Sequence, residues 1–566
     1  MDRILFLVPM HIRMDSFLNP GDNTRRYRKP DGKYYNSVRT DLPLGPLSMS
    51  AYIKKFTNCD VKLIDFNVEL SHAKEFPYQC FFDYCRDYLS SIDFQPDIVG
   101  VSSLFSPSFN NFMDCGRVAK EIWPSSLVLG GGNIPTNDYQ YIYQDFKCEY
   151  FDALCYGEGE RPFKDLILAK DRKKFLDRSV HWITAEKLKK EQPFFPQHDF
   201  IEDLDEIPFF DYDLCDIVRH SIDPVTTAFH NVEDQFGFHI MTSRGCPFLC
   251  TFCASHKTHG RKMRYHSVER VKEDLTKLKE NYGAETVVFQ DDHFMGDKER
   301  VYQILKVLGE LNLGSLYQNG LTLYALDRPM LEAFYAAGVR HLVLPVESGS
   351  EKVLKKQMRK PLKLHISVRV AKDCREMGIY TNSNIMIGMP GETKEDIKEA
   401  RHNLRKVKTN WFNIACASPL VGSEMYDIAK ENKYITDETR GADFHFAVIE
   451  TDQFTPEYIQ RMQYIMNLEL NFIYNNDMEV GDYKTALIGF KNVIRIRSDH
   501  AFAHYFSAIC YQELGDDNNY EIHKKEFEVF SKTPFWKQYI EYFDLDSNLS
   551  NVSLHSDVSN MVDVFA

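Results

Sequence analysis

Short apolar runs recur along the first 185 residues, with helix-like stretches between them. "RILFLVP" (3–9), "VKLIDF" (61–66), "PDIVGVSS" (96–103), "SLVLGGG" (126–132) and "FDALCYGEGE" (151–160) each suit a buried parallel strand. "GPLSMSAYIKKF" (45–56) and "NNFMDCGRVAKEIW" (110–123) carry helical spacing. Strands alternating with helices predict an α/β domain over 1–185, a doubly wound, Rossmann-like parallel sheet with helices on both faces. Residues 17–42, with scattered Gly, Pro and Arg, read as a long loop after the first strand. Loops of that length tend to be functional or disordered.

The pattern breaks over 186–235, an acidic, Pro-containing stretch ("FIEDLDEIPFFDYDL", 200–214) that reads as a linker. From 236 the alternation resumes. "FGFHIMTS" (236–243), "ETVVFQDD" (285–292), "SLYQNG" (315–320), "RHLVLPVES" (340–348), "IYTNSNIMIGMP" (379–390) and "FNIACASP" (412–419) follow as strands, each but the last preceding a plausible helix. Strands in βα units predict a partial (β/α)6 barrel over 236–435, with chemistry at the carboxyl ends of the strands. Residues 436–545 are helical in pattern. "GDYKTAL" (481–487) is followed 34 residues on by "GDDNNYE" (515–521), and Ala486, Phe490, Ala508, Tyr511 and Gly515 fall near the small and aromatic positions of a tetratricopeptide repeat (TPR). Residues 546–566, rich in Ser, Asn and Asp, are expected to fray.

Composition narrows the classes. Of the 566 residues 43% are hydrophobic and 27% charged, which fits a globular protein of several domains. A net charge of −14 argues against binding nucleic acid by broad phosphate neutralisation. The apolar run "ILFLVPM" near the start is too short to span a bilayer, and no cleavage pattern follows it. A cytoplasmic protein is expected.

Ten of the thirteen cysteines are scattered singly, as buried small hydrophobes usually are. Cys246, Cys250 and Cys253 instead form C-x3-C-x2-C in "SRGCPFLCTFCAS" (243–255), just past the first predicted barrel strand. Thiolates select zinc or iron–sulfur clusters. A zinc knuckle would take His256 as fourth ligand, although structural zinc sites usually pair two ligand clusters and no second CxxC exists. A [4Fe–4S] cluster makes an incomplete set useful: three cysteines hold three irons and the fourth stays open to a small molecule.

With Phe252 before its last cysteine and a βα repeat around it, this motif resembles the signature of the radical S-adenosylmethionine (radical SAM) enzymes. "FQDDHF" (289–294), "PVESGSEKVLKKQMRK" (345–360), "IMIGMPGETKEDI" (385–397) and "ASPLVGSEMYDIAKENKYI" (417–435) look like successive strand-end segments of one branch of that superfamily. "LPLGPLSMSAYIKK", "PDIVGVSS", "LVLGGGNIPTN" and "DALCYGEGERPF" look like that branch's N-terminal cobalamin (B12)-binding domain.

The resemblance implies that Cys246, Cys250 and Cys253 ligate the cluster and that SAM chelates its open iron. One electron then breaks the C5′–S bond, and a 5′-deoxyadenosyl radical removes hydrogen from substrate. It places Gln290, Asp291 and Asp292 near the SAM amino group, where a carboxylate can accept from an ammonium. Glu347 and Ser348 would meet the ribose and methionyl portion, Arg359 and Lys360 the carboxylate. Gly388 and Gly391 would let backbone approach the adenine. Corrinoid would lie at the strand ends of the N-terminal sheet, against Ser102, Ser103 and Leu104, Gly130, Gly131 and Gly132, and Gly157, Glu158, Gly159 and Glu160. The D-x-H-x-x-G cobalt-ligating motif is missing: "VPMHIRM" (8–14) offers His11 without the Asp or the Gly. His11 is expected to be a loop histidine.

A cobalamin-type radical SAM enzyme that methylates an unactivated carbon of a small-molecule or carrier-bound substrate is the reading that results. The C-terminal helices read first as a cap on the open end of the barrel and second as a docking surface for a protein partner or carrier-bound substrate; an electron donor of flavodoxin or ferredoxin type is the other partner expected. A corrinoid-free radical SAM enzyme and a non-catalytic, metal-tied scaffold are the alternatives.

Overall fold

The computed structural model describes residues 1–20, 26–38, 41–103, 105–220, 237–436, 440 and 446–545. Leu104, most of the second half of the predicted linker and the whole tail from 546 lie outside the described residues. The chain divides into two compact units, residues 1–319 with 418–443, and residues 320–417 with 444–566.

In the first unit, β1 (Asp2–Val8), β2 (Cys59–Asp65), β3 (Ile98–Ser103), β4 (Leu127–Gly132), β5 (Ala153–Cys155) and β6 (Trp182–Ile183) form one sheet in the order β2-β1-β3-β4-β5-β6. All neighbours are parallel except β5–β6. The strands are continuous apolar runs because both faces are covered. Leu5, Leu7, Val99, Val101, Val128 and Leu154 pack on one side, and Ile4, Phe6, Ile98, Leu129 and Ala153 on the other. Chain order reverses between β1 and β3, which makes their carboxyl ends the switch point where open α/β sheets take ligands. The predicted helices appear as α1 (Leu44–Phe56) and α2 (Phe109–Ile122).

The linker is pinned where it is described. Ile201, Leu204, Ile207 and Tyr212 are buried, and the Tyr212 hydroxyl donates to the His239 carbonyl at 2.8 Å. Beyond it, β7 (Gly237–Ile240), β10 (Thr286–Phe289) and β11 (Gly314–Tyr317) make a parallel sheet in the order β11-β10-β7. Between β7 and β10 runs a short antiparallel pair, β8 (Ser243–Arg244) with β9 (Arg264–Tyr265), from which the cysteine loop projects.

In the second unit β12 (His341–Glu347), β13 (Tyr380–Ile387) and β14 (Trp411–Cys416) form a second parallel sheet in chain order. The C-terminal region is helical, and it covers the edge strand β14. The Asn471 side chain accepts from the Phe412 N–H at 2.8 Å and donates to its carbonyl at 2.9 Å, and Gln463 donates to the Ile414 carbonyl at 2.6 Å. An exposed strand edge invites pairing with other chains, and this clasp closes it. The spaced "GD" segments mark helix starts. Asp482 and Asp516 cap the helices Tyr483–Ile496 and Asp517–Phe530, accepting from the Thr485 and Asn519 N–H groups.

Candidate active site

The thiols stand on a loop with a tightly specified neck. Across the β8–β9 pair Arg244 faces Arg264. Gly245 follows at φ +92°, where a β-carbon would lie 2.4 Å from the Lys262 carbonyl oxygen, so only glycine fits. Within the loop the Cys246 N–H donates to Gly260 and the Cys253 N–H to Cys250, at 3.3 and 3.2 Å. The Thr251 carbonyl, between two of the cysteines, accepts from the Met425 N–H at 2.8 Å. Cys246, Cys250 and Cys253 are half-buried, whereas eight of the ten scattered cysteines are fully buried, so these three are available to a ligand. Burial pushes the Cys246 thiol up to about 11, with Cys253, Asp292 and Cys250 adding negative charge nearby. Such a group of thiols gains from a bound cation.

His256 does not join them as a zinc knuckle would require. It lies against the Cys253 backbone carbonyl and is held below its ordinary value by burial and by Arg261 and Lys257. Among the described residues no three His, Cys, Asp or Glu side chains converge on a single ion. Thiols that each hold a different iron of a cluster need no such convergence.

Behind the loop stands the end of β10. Asp292 is half-buried and close enough to Cys246 to perturb it. Gln290 bonds Gln318 at 2.6 Å. Asp291 departs from the expectation of a SAM contact. It is buried and accepts from the Thr242 N–H (2.8 Å), the Thr242 hydroxyl (2.7 Å) and the Ser243 hydroxyl (2.6 Å), so it ties the start of the neck to β10. His293 braces the loop edge-on to Phe248, ring centroids 4.9 Å apart.

At the N-terminal sheet the three glycines of β4 differ. A β-carbon on Gly130 would meet Leu154 and Phe112 at 2.6 and 2.8 Å, and one on Gly132 (φ +97°) the Ser103 carbonyl at 2.2 Å, but one on Gly131 would meet nothing within 4 Å. Gly131 pairs with Ser102 across the sheet and leaves open space on its side-chain side near the strand ends. Ser103 is buried, its hydroxyl 2.5 Å from that of Ser108. His11 is buried edge-on to Phe105 at 4.9 Å.

The "GEGE" segment is a second departure. A β-carbon on Gly157 would lie 2.4 Å from His198, and one on Gly159 would lie 2.8 Å from Met49. Glu158 and Glu160, both buried, face Arg264 and Arg244 at the neck, so protein packs against all four positions where corrinoid was expected. Sequence reasoning missed these two arginines. Their signal was a pair of cations flanking the cysteine motif, Arg244 directly before Gly245 and Arg264 four residues after Gly260.

In the second unit Glu347, at the end of β12, has φ +68° beside a register break, and its carboxylate pairs with Lys360 at 2.8 Å. Arg359 also takes a left-handed backbone, φ +48°. The Ser348 hydroxyl is buried and accepts from the Ser350 N–H at 3.1 Å. Gly388 (φ +87°) packs on Ile459, 2.9 Å from where its β-carbon would stand, so that side of the turn faces protein and not adenine. Gly391 accepts from Gln357 at 3.0 Å. Glu392, unforeseen from sequence, accepts from the Gly388 and Met389 N–H groups at 2.6 and 3.0 Å and holds the turn.

Residues 240–404 match the profile of the radical SAM superfamily, and residues 38–167 match that of the B12 binding domain. The chain belongs to the radical SAM superfamily, in the branch that carries a B12-binding domain. An uncharacterised methyltransferase of Pyrococcus horikoshii is 28% identical over 372 residues, 65% of this chain and 77% of the relative. The cytidylyl-2-hydroxyethylphosphonate methyltransferase of Streptomyces wedmorensis is 27% identical over 453 residues, 72% and 84% of the two chains. Among solved structures, the cobalamin-dependent radical SAM enzyme OxsB with aqua-cobalamin and S-adenosylmethionine bound shares the fold. Its TM-score is 0.60 at 14% identity, covering 97% of this chain and 81% of that one.

As a radical SAM enzyme with a B12-binding domain, the protein uses a [4Fe–4S] cluster, SAM and cobalamin. The residues present fit them. Three accessible thiols form a soft donor set one short of four, and Gly131 leaves an uncrowded surface beside the switch point. Among the described residues no helix is long and apolar enough to cross a membrane.

Proposed function

We propose that this enzyme cleaves one SAM reductively to methionine and a 5′-deoxyadenosyl radical, which takes hydrogen from an unactivated carbon of a small molecule and leaves as 5′-deoxyadenosine. A second SAM supplies the methyl group for that carbon and leaves as S-adenosylhomocysteine. The relatives' names point to methyl transfer, and the observation that carries the radical step is the half-buried trio Cys246, Cys250 and Cys253 with Asp292 beside it. When bound, the cluster supplies one electron to the sulfonium and the corrinoid carries the methyl group.

The chain's own residues do the rest. The three thiolates hold three irons. Asp292 accepts from the SAM ammonium, with Gln290 two residues before it on the same strand-end segment, while Asp291 fixes the neck and leaves that role to its neighbour. Phe252 lines the loop between the last two cysteines. Glu347 and Lys360 form a paired cation and anion suited to the sugar hydroxyls and the methionyl carboxylate, with Arg359 adjacent and Gly391 in the turn beyond. Ser102 and Gly131 offer corrinoid a flat, hydrogen-bonding support. The electron comes from a flavodoxin- or ferredoxin-type donor in the cytoplasm. The C-terminal helices cap β14, and a protein partner or carrier-bound substrate docks on their outer side.

Anaerobic protein given SAM and dithionite should release 5′-deoxyadenosine, and Cys246→Ala, Cys250→Ala and Cys253→Ala should each abolish that release and the iron content. Release that survives any of the three substitutions would defeat the reading. Acid extraction of the purified protein for corrinoid separates methyl transfer from a rearrangement, cyclisation or oxidation.

A further inference from the structure

Two guanidiniums facing each other across a buried antiparallel pair repel, and little water screens them. Arg244 and Arg264 are in that position, 6% and 3% exposed, at the neck of the cysteine loop. Their counter-charges come from the B12-binding domain. Glu158 takes Arg264 in a two-bond fork, 2.6 and 2.9 Å, and lies 3.2 Å from Arg244. Glu160 takes Arg244 at 2.6 Å and a hydrogen bond from the Ser48 hydroxyl, also at 2.6 Å. His259, inside the loop, bonds Glu158 at 2.9 Å. Both carboxylates are about 4% exposed. The two arginines and two glutamates balance to zero charge, two residues from the first cysteine.

We infer that Glu158 and Glu160 are positioning residues for the iron–sulfur cluster: through Arg244 and Arg264 they fix the geometry of the thiol loop and the charge that the cluster feels. The inference rests on the cluster assignment above. It reassigns the "GEGE" segment from corrinoid contact to cluster support. Removing one carboxylate leaves an uncompensated guanidinium near the cluster, and a more positive surrounding favours the reduced state. The reduction potential should therefore rise.

The experiment uses the full chain, reconstituted anaerobically with iron, sulfide and hydroxocobalamin. EPR-monitored redox titration and corrinoid content are read on the wild type, Glu158→Gln, Glu158→Asp and Glu160→Gln. The expected result is a raised midpoint potential and altered g-values in Glu158→Gln, a smaller rise in Glu160→Gln, and a return toward wild type in Glu158→Asp, which keeps the charge. Corrinoid content should not change. Should Glu158→Gln fail to fold, Glu160→Gln carries the same sign. An unchanged potential in loaded variants overturns the inference, as does loss of corrinoid with an unaltered cluster signal. A wild type that binds no cluster would instead defeat the cluster assignment itself.

Discussion

Glu158 and Glu392 are both buried carboxylates just past the end of a parallel strand, one in each compact unit, yet their environments push them in opposite directions. Burial alone would raise Glu158, but Arg244, Arg264 and His259 hold it well below the usual carboxylate range. Glu392 takes hydrogen bonds from two backbone N–H groups with Lys352 and Asp396 acting from farther off in opposite senses, and burial pushes it up to about 7. Hydrogen-bond donors can anchor a turn, but a full opposing charge is what keeps a carboxylate ionised out of water. The first arrangement suits a site that must hold fixed charge next to a redox centre. The second holds the turn between a strand and the helix Lys394–Leu404.

The largest effect should come from breaking the first arrangement. Arg264→Met leaves Glu158 with half its compensation and should destabilise the protein by about 3–5 kcal/mol in chemical unfolding. The double variant Glu158→Gln/Arg264→Met should recover part of that loss. Additive losses would show that the pair is not coupled.

Glu392 gives the opposite pH dependence. Its ordinary value is 4.5 and its folded value about 7, so between them the folded chain keeps a proton that the unfolded chain releases. Stability should fall by roughly 3 kcal/mol as pH rises through that window and level off above it. Glu392→Gln should flatten the profile of melting temperature against pH from 4.5 to 7. Glu158, depressed when folded, contributes fully above 4.5 and loses that contribution as pH falls toward its folded value, so Glu158→Gln should do most harm at neutral pH.

A smaller contrast lies within one strand. Gly130→Ala overlaps Leu154 and Phe112 and should destabilise by about 1–3 kcal/mol, whereas Gly131→Val should fold as well as wild type and lose corrinoid. Equal corrinoid content in the two would remove Gly131 from the cofactor surface. The smallest effect should follow Lys262→Ala, which breaks the exposed pair with Glu202 beside the same neck and should leave the melting temperature unchanged.

How much of this was legible depended on distance along the chain. Every predicted strand from 3 to 419 is present, because an apolar run buried on both faces is a local signal. The cysteine motif was legible for the same reason, its three side chains lying within eight residues. The partners of Glu158 and Glu160 lie 106 and 84 residues away, and one sequence does not reveal which of 68 cations a given carboxylate will meet. Gly157 and Gly159 were read as room for a ligand, although His198 and Met49 fill that room. Asp291 and Asp292 read alike as neighbours, yet the chain leaving β10 turns one into the neck and the other toward the thiols.

The neck also dictates an order of biogenesis. Arg264 leaves the ribosome long after Glu158, and their two-bond fork cannot form until both have been made. Glu158 is thus translated before any of the metal's own ligands and Arg264 after all of them, so the neck closes only once the whole thiol loop has been made.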